Sequence, residues 1–479
     1  MKNLALLFAL LLTIIFGKMI IDSFMVPKLH WTYLILYAVV GLIVYVIIMV
    51  VGGALDRKFN SSIQTFLDGK KESLFDDKKL LRTFGLLIIT LLPFLFYLQA
   101  LALFAVVVFA VYSVLAMAEV GIIHIGVSIG IAIVVIGTGI AILIGLYFMF
   151  FSPKRKTLGI ILNEREQQRL WAISKEIAKA IKTKPINKII VTPDPGIGVY
   201  LEGNIFSTIF GGGKKVLEIG LPSLHTLNTT EFKAILSHEY GHFSHRDTQW
   251  TVFTYSMGMS LSNTLRSMPG PKKGGDWSLI RIIMAINPAY WLFLLYMMLY
   301  FKITNGFSRI REVMADIVAI NLYGGESFAS GLMKVATNDT FYNEVIQPVW
   351  CSSLLEHDLT IANFSKAMDH FCSDLAVSKA IEELKVSILS SSQTHDIYDS
   401  HPALKTRIDY AKKFKAREVD IKQPEISSDP WVDLHKVFDD TTPDESPVSK
   451  LFNDWDLINE KIAELFNQRL LLMKAAMPK

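Results

Sequence analysis

The sequence predicts an α-helical membrane bundle joined to a mainly α (α+β) soluble domain, in which a small sheet lies beside one metal-competent helix. Three observations carry that expectation. Long apolar runs fill the first third of the chain, soluble-type periodicity begins near Asn163, and a capped amphipathic helix after Asn228 holds two histidines one turn apart.

The first observation is compositional. Of 479 residues, 51% are hydrophobic and 19% charged, and mean hydropathy is +0.38. Soluble domains carry about 25% charge, so the balance leans toward a bilayer. The net charge of +4 is too small and too dispersed for a nucleic-acid partner. Apolar runs cover 3–24 and 31–55, and from Thr83 to Ser152 only Glu119 is fully charged. Lysines and arginines cluster before that stretch and again at Lys154, Arg155 and Lys156, so both flanks belong on the cytoplasmic side and the crossings are even in number. Residues 1–153 are therefore expected to form a bundle of about four spans, turning near Glu119 to Gly121. Cys351 and Cys372 form no metal or disulfide framework and read as ordinary thiols in a reducing compartment.

After Asn163 the periodicity changes. Leu170, Ile173, Ile177 and Ile181 recur at helical spacing before Pro185. Short β-like runs follow at 188–192, 197–202 and 215–219, separated by Pro193, Asp194, Pro195 and by Gly211 to Gly213. The triple glycine lacks the Lys-Ser/Thr of a phosphate loop and reads as a turn. The expected division is 154–248 as the first half of a catalytic domain, 249–303 as an apolar insert, 304–417 as the second half, and 418–479 as an acidic linker with a C-terminal helix over 454–474.

The chemistry is concentrated after Asn228. Asn228 can cap a helix, with Glu231 three residues on completing a capping box. Phe232, Ile235, Leu236, Tyr240 and Phe243 form its apolar stripe. Beside them, His238-Glu239-Tyr240-Gly241-His242 sets two imidazoles one turn apart, able to share a zinc ion, with Glu239 placed to take a proton from water. Zinc needs a third protein ligand and one open position. Ser308 to Asp316 reads as the start of a second helix, in which Glu312 can ligate and Asp316, one turn later, can support a ligand histidine.

These residues make the chain resemble the membrane zinc metallopeptidase family that includes the CAAX prenyl proteases and the bacterial heat-shock protease HtpX. The shared residues are His238, Glu239, Gly241, His242, Asp247, Glu312 and Asp316, then Ser400 to Arg407. The likeness runs from about 165 to 415. It implies a zincin-like fold, one Zn2+ per chain and a polypeptide substrate, and it makes His401 and Arg407 oxyanion-stabilising residues. It also implies that 249–303 is a membrane hairpin, although Lys272 and Lys273 would then lie outside, against the charge rule. Where the family often has Asn-Ala-aromatic on a strand near the site, this chain has Gly198-Val199-Tyr200, taken here as substrate-binding on an edge strand.

The resulting expectation is a multi-pass protein of the cell (inner) membrane, its catalytic domain facing the cytoplasm, that hydrolyses peptide bonds in membrane-protein segments or peptides. The rival is a membrane scaffold or transporter with a metal-binding domain. A structural zinc is normally closed by four protein ligands, whereas here three ligands accompany a base, which favours catalysis.

Overall fold

The structure, a computed structural model, describes residues 158–202, 213–242, 288–357, 359–391, 401–413 and 443–476, together with 60–67 and single positions between 50 and 262. Most of the expected membrane bundle, residues 1–153, and most of the insert, 249–303, lie outside these residues. Among the described residues, no helix is long and apolar enough to cross a membrane. The chain divides into two units: 1–60, 75–153 and 253–306 form one, and 61–74, 154–252 and 307–479 form the other. The second contains the candidate site.

Among the described residues its sheet has four strands: β1 (Ile160–Leu162), β2 (Lys188–Thr192), β3 (Ile197–Glu202) and β4 (Lys214–Gly220). They lie in the order β1-β2-β4-β3, with β2 and β4 parallel and the outer pairs antiparallel. β2 is buried from Ile189 to Thr192, as expected for a central strand covered on both faces. Among the described residues β3 pairs with β4 on one side only, which leaves its other edge without a strand partner there. β1 is an element the sequence reading does not contain, because three residues are too few to establish an alternating pattern.

Helix α1 (Gln168–Ala180) buries Leu170, Ile173 and Ile177, with Ile181 just beyond, on the face given by the periodicity. Trp171 completes the contact by donating its indole N–H to Leu162 O at 3.1 Å, which ties α1 to β1. Helix α2 (Thr229–Gly241) follows the Pro222–Leu224 turn of 3-10 helix. Its capping box forms as expected: Glu231 N–H donates to Asn228 Oδ1, and Asn228 N–H to Glu231 Oε2, each at 2.8 Å.

The second helix departs from the reading. It does not begin near Ser308; α3 runs from Pro288 to Tyr323, so Glu312 sits deep inside a 36-residue helix. Lys302, Thr304, Asn305 and Gly306 look like a break in the sequence, yet no proline interrupts the run. The Thr304 hydroxyl instead donates back to Tyr300 O at 2.9 Å, so the polar residues are accommodated on a continuing helix. Gly324, at φ +82°, ends it and reverses the chain.

Helices α4 (Gly325–Phe341), α5 (Gln347–His357), α6 (Phe364–Cys372), α7 (Leu375–Ser391) and α8 (Leu404–Lys413) follow, with one turn of π-helix at Tyr342–Ile346. The last helix, α9 (Trp455–Ala476), matches the expected C-terminal helix and buries Ile458, Ile462, Ala463, Phe466 and Leu470. These side chains join one core with α1, β2, β4, α2 and α6. The segment set apart by its acidic approach is thus packed into the second unit. Cys351 and Cys372 are free thiols.

Candidate metal and catalytic site

The site assembles where α2 crosses α3. Gly241, the last residue of α2, permits the crossing: a Cβ there would sit 2.9 Å from Ala315 Cα and 3.1 Å from Ala315 Cβ. Only a residue without a side chain lets the two backbones approach so closely. That approach brings Glu312 between the histidines. Its Oε2 lies 3.4 Å from His238 Nε2, and its Oε1 lies 3.4 Å from His242 Nε2.

These distances are long for hydrogen bonds between well-aligned groups. They match the separation of two ligands held about 2.0–2.1 Å from one ion at a tetrahedral angle, which is about 3.4 Å. The imidazole rings stand 4.9 Å apart and nearly perpendicular, at 83°. His242 Nδ1 and Glu312 Oε2 are buried with no hydrogen-bond partner among the described residues. Two imidazole nitrogens and a carboxylate facing one point, with buried polar atoms left over, fit a divalent metal of the zinc type.

Around these groups lies a set of supporting contacts. His238 Nδ1 is 2.9 Å from Asp316 Oδ1, which turns Nε2 toward Glu312. Phe328, fully buried on α4, stacks on the His238 ring at 5.8 Å. Asp316 in turn accepts two bonds from Arg407, from Nε at 2.8 Å and Nη2 at 2.6 Å. Arg407 Nη2 also lies 3.4 Å from Glu312 Oε2. His401 approaches from the more open side, Nε2 3.4 Å from Glu312 Oε1, with 60% of its side chain exposed.

Glu239 completes the cluster, its carboxylate within 4.8 Å of ligand atoms of both histidines. Of the two carboxylates near the imidazoles, Glu239 groups with both histidines within 4.8 Å, and Glu312 turns one oxygen toward each Nε2 at 3.4 Å. Glu239 also accepts a backbone hydrogen bond from Val199. A Cβ on Gly198 would lie 3.9 Å from Glu239 Oε2. The open edge of β3 therefore faces Glu239.

Burial and charge set the protonation states. Burial pushes the Glu239 carboxyl up to about 7, with Glu312 adding to the rise and His238 and Arg407 opposing it. Burial alone would lower His238, but Asp316 and Glu312 outweigh it and hold the imidazole up at about 10. His242 is pushed down to about 3 by burial, against the attraction of Glu312. Glu312 is held well below the usual carboxylate range despite its burial, because His242, His238 and Arg407 surround it. Asp316 is lowered despite burial, chiefly by Arg407 and His238.

All of His238, Glu239, His242, Glu312, Asp316, His401 and Arg407 thus converge, and Gly198 and Val199 border them. Tyr200 follows on the same strand, paired in register with Val216. His245 and Asp247 lie outside the described residues. Phe328 is the neighbour that sequence reasoning misses, because no local pattern marks an ordinary apolar helix position as the wall behind a histidine.

Residues 164–415 match the sequence profile of peptidase family M48. The chain is also similar to a "Protease HtpX homolog" of Archaeoglobus fulgidus, at 22% identity over 281 residues, 57% of this chain and 75% of that protein. A "Protease HtpX" of Psychrobacter sp. (strain PRwf-1) is 26% identical over 242 residues, 47% of this chain and 75% of that one. The profile covers more than half of the chain, including every residue of the His238–Glu312–Arg407 constellation, and the chain belongs to peptidase family M48, the metalloprotease family.

Proposed function

We propose that this protein is a membrane-anchored, zinc-dependent endopeptidase, with His238, His242 and Glu312 holding one Zn2+ and Glu239 acting as general base. The observation that carries this reading is the placement of Glu312, one oxygen 3.4 Å from each histidine Nε2, beside a buried Glu239. A bound zinc ion would polarise the scissile carbonyl and make a water molecule acidic enough to attack at neutral pH.

The chain's own residues do the rest. Glu239, with its carboxyl held near neutrality by burial, takes the proton of the attacking water and passes it to the leaving amine. Asp316 holds the ring of His238 through the 2.9 Å contact at Nδ1, and Arg407 fixes Asp316. His401, the more exposed donor, stabilises the developing oxyanion. Arg407 already gives Nε and Nη2 to Asp316, so it contributes to that role chiefly through its charge. An extended polypeptide would pair with the open edge of β3 at Gly198, Val199 and Tyr200.

The membrane anchor rests on the sequence, above all on the run from Thr83 to Ser152 in which only Glu119 is charged. With basic clusters on both flanks, the catalytic domain belongs on the cytoplasmic side of the cell membrane, and its substrates are membrane-protein segments or peptides close to that face. The test is Glu239→Gln in the purified full chain. It should keep about one zinc per chain, measured by elemental analysis, and lose nearly all hydrolysis of labelled casein. Substantial turnover with zinc retained would assign the base elsewhere.

A further inference from the structure

The segment 443–476 lies beyond the residues that match the family profile, yet it contacts the first turn of α2 and the turn that precedes β3. At its start it clamps the first turn of α2. Thr229 N–H donates to Ser446 O at 2.8 Å, Val448 N–H to Leu227 O at 3.1 Å, and Asp444 N–H to the Thr230 hydroxyl at 2.7 Å. Asn228, the cap of the histidine-bearing helix, forms a β-bridge with Pro447. At its far end, on α9, Arg469 Nη1 reaches Asp194 Oδ1 at 2.6 Å.

Asp194 lies in the four-residue turn that delivers the chain into β3. The inner side of that turn is held by the sheet: Gly220 N–H donates to Gly196 O at 2.7 Å, and Gly196 N–H to the Ser223 hydroxyl at 2.6 Å. Ser223 is secured in turn by donating to Asp339. Arg469 is the side chain that holds the turn from α9. The helix that carries it is well anchored, through its core face and through paired bonds of Asn467 with Ile361 and of Gln167 with Asn453.

We propose that 443–476 is a positioning strap and that Arg469 is its positioning residue, fixing through Asp194 the entry of β3 and hence the edge presented to substrate. Val199 N–H, which Glu239 accepts, lies five residues beyond Asp194 on that strand. A shift at the turn moves the substrate edge. The inference rests on the reading of β3 as the substrate-pairing strand. The pair is half exposed, with side chains 38% and 45% accessible, so it contributes little to global stability. Its effect belongs in substrate binding.

The experiment uses the full chain with Arg469→Ala, Arg469→Lys and Asp194→Asn, since deleting the strap would remove core side chains such as Phe466. KM for labelled casein should rise about two- to fivefold in Arg469→Ala and Asp194→Asn, with kcat, zinc content and Tm nearly unchanged. Arg469→Lys should recover part of the loss. Hydrogen exchange should quicken at the β3 amides of Ile197 to Val199 relative to Ile189 to Val191 in β2. An unchanged KM, or a parallel fall in kcat and Tm, would overturn the strap's positioning role. If Glu239→Gln is inactive while Arg469→Ala behaves as the parent, this inference alone fails; if Glu239→Gln stays active, the catalytic reading fails.

Discussion

Replacing Gly241 with alanine tests the geometry on which the metal site depends. The new Cβ would lie 2.9 Å from Ala315 Cα and 3.1 Å from Ala315 Cβ, against about 3.5–4.0 Å for comfortable carbon contact. The obstruction is mostly backbone, so no rotamer relieves it, and α2 and α3 must separate by roughly 0.5–1 Å. Overpacking of this kind costs about 1–3 kcal/mol, partly offset by the better helix propensity of alanine. The consequence for the metal is larger. The two Nε2–Glu312 distances of 3.4 Å would lengthen together, and ligand positions must hold within about 0.2 Å for a tight site. Zinc affinity should fall about 10–100-fold, the range seen when support of a ligand is lost. Competition with a chromophoric chelator gives the affinity, and thermal unfolding of the metal-free chain gives the packing cost. Parent-like affinity in a normally folded Gly241→Ala variant would show that the close crossing does not set the ligand geometry.

Two further outcomes follow from the same contacts. Phe466→Ala removes a fully buried ring that packs edge-on at 6.0 Å against both Trp350 and Phe364, and should cost about 3–5 kcal/mol; a thermal shift near zero would mean that α9 contributes little to the shared core. Burial raises Asp339 to about 6 from 3.8, with the Ser223 hydroxyl and Gly196 opposing, so the folded state binds this proton more tightly than the unfolded one. Its contribution is therefore complete below about pH 4 and is lost as pH rises through about 6, by up to about 2 kcal/mol after allowance for partial exposure. Asp339→Asn should remove that loss, so its Tm should gain on the parent between pH 4 and 7; a pH-independent difference would refute the assignment.

The legible parts of the fold were those whose signals are local. The capping pair Asn228 and Glu231 marked the start of α2 to the residue, and the apolar stripe of α1 named its buried face. The start of α3 was illegible because Lys302 to Gly306 carry the composition of a loop while the helix continues through them. At the site, the His238–His242 spacing required a helix, and Glu312 and Asp316 followed from the same one-turn logic. The meeting of Glu312 with the two histidines was not in that spacing; it depends on Gly241 facing Ala315, which lies 74 positions away. Arg407 was placed at the site by resemblance, whereas its bidentate hold on Asp316 could not be read from sequence, since nothing local distinguishes it from a surface arginine on an amphipathic helix.

The contact between Arg407 and Asp316 explains how so many charges remain buried together. Glu312 and Asp316 are both ionised inside the protein, and either alone would face a prohibitive desolvation cost. Arg407 bridges them, 2.6 Å from Asp316 and 3.4 Å from Glu312, and His238 touches both from the opposite helix. His238, held up at about 10 by Asp316 and Glu312, and Arg407 thus balance the two carboxylates. His238 would hold a metal only as the neutral imidazole, so binding would be linked to loss of a proton, while Arg407 would still neutralise Asp316. Glu239, bonded to Val199 rather than to this chain of ion pairs, is left as the carboxylate free to exchange a proton near neutral pH. The division of labour among three neighbouring carboxylates comes from their partners: one faces two imidazoles, one faces a guanidinium, and one faces the open edge of a strand.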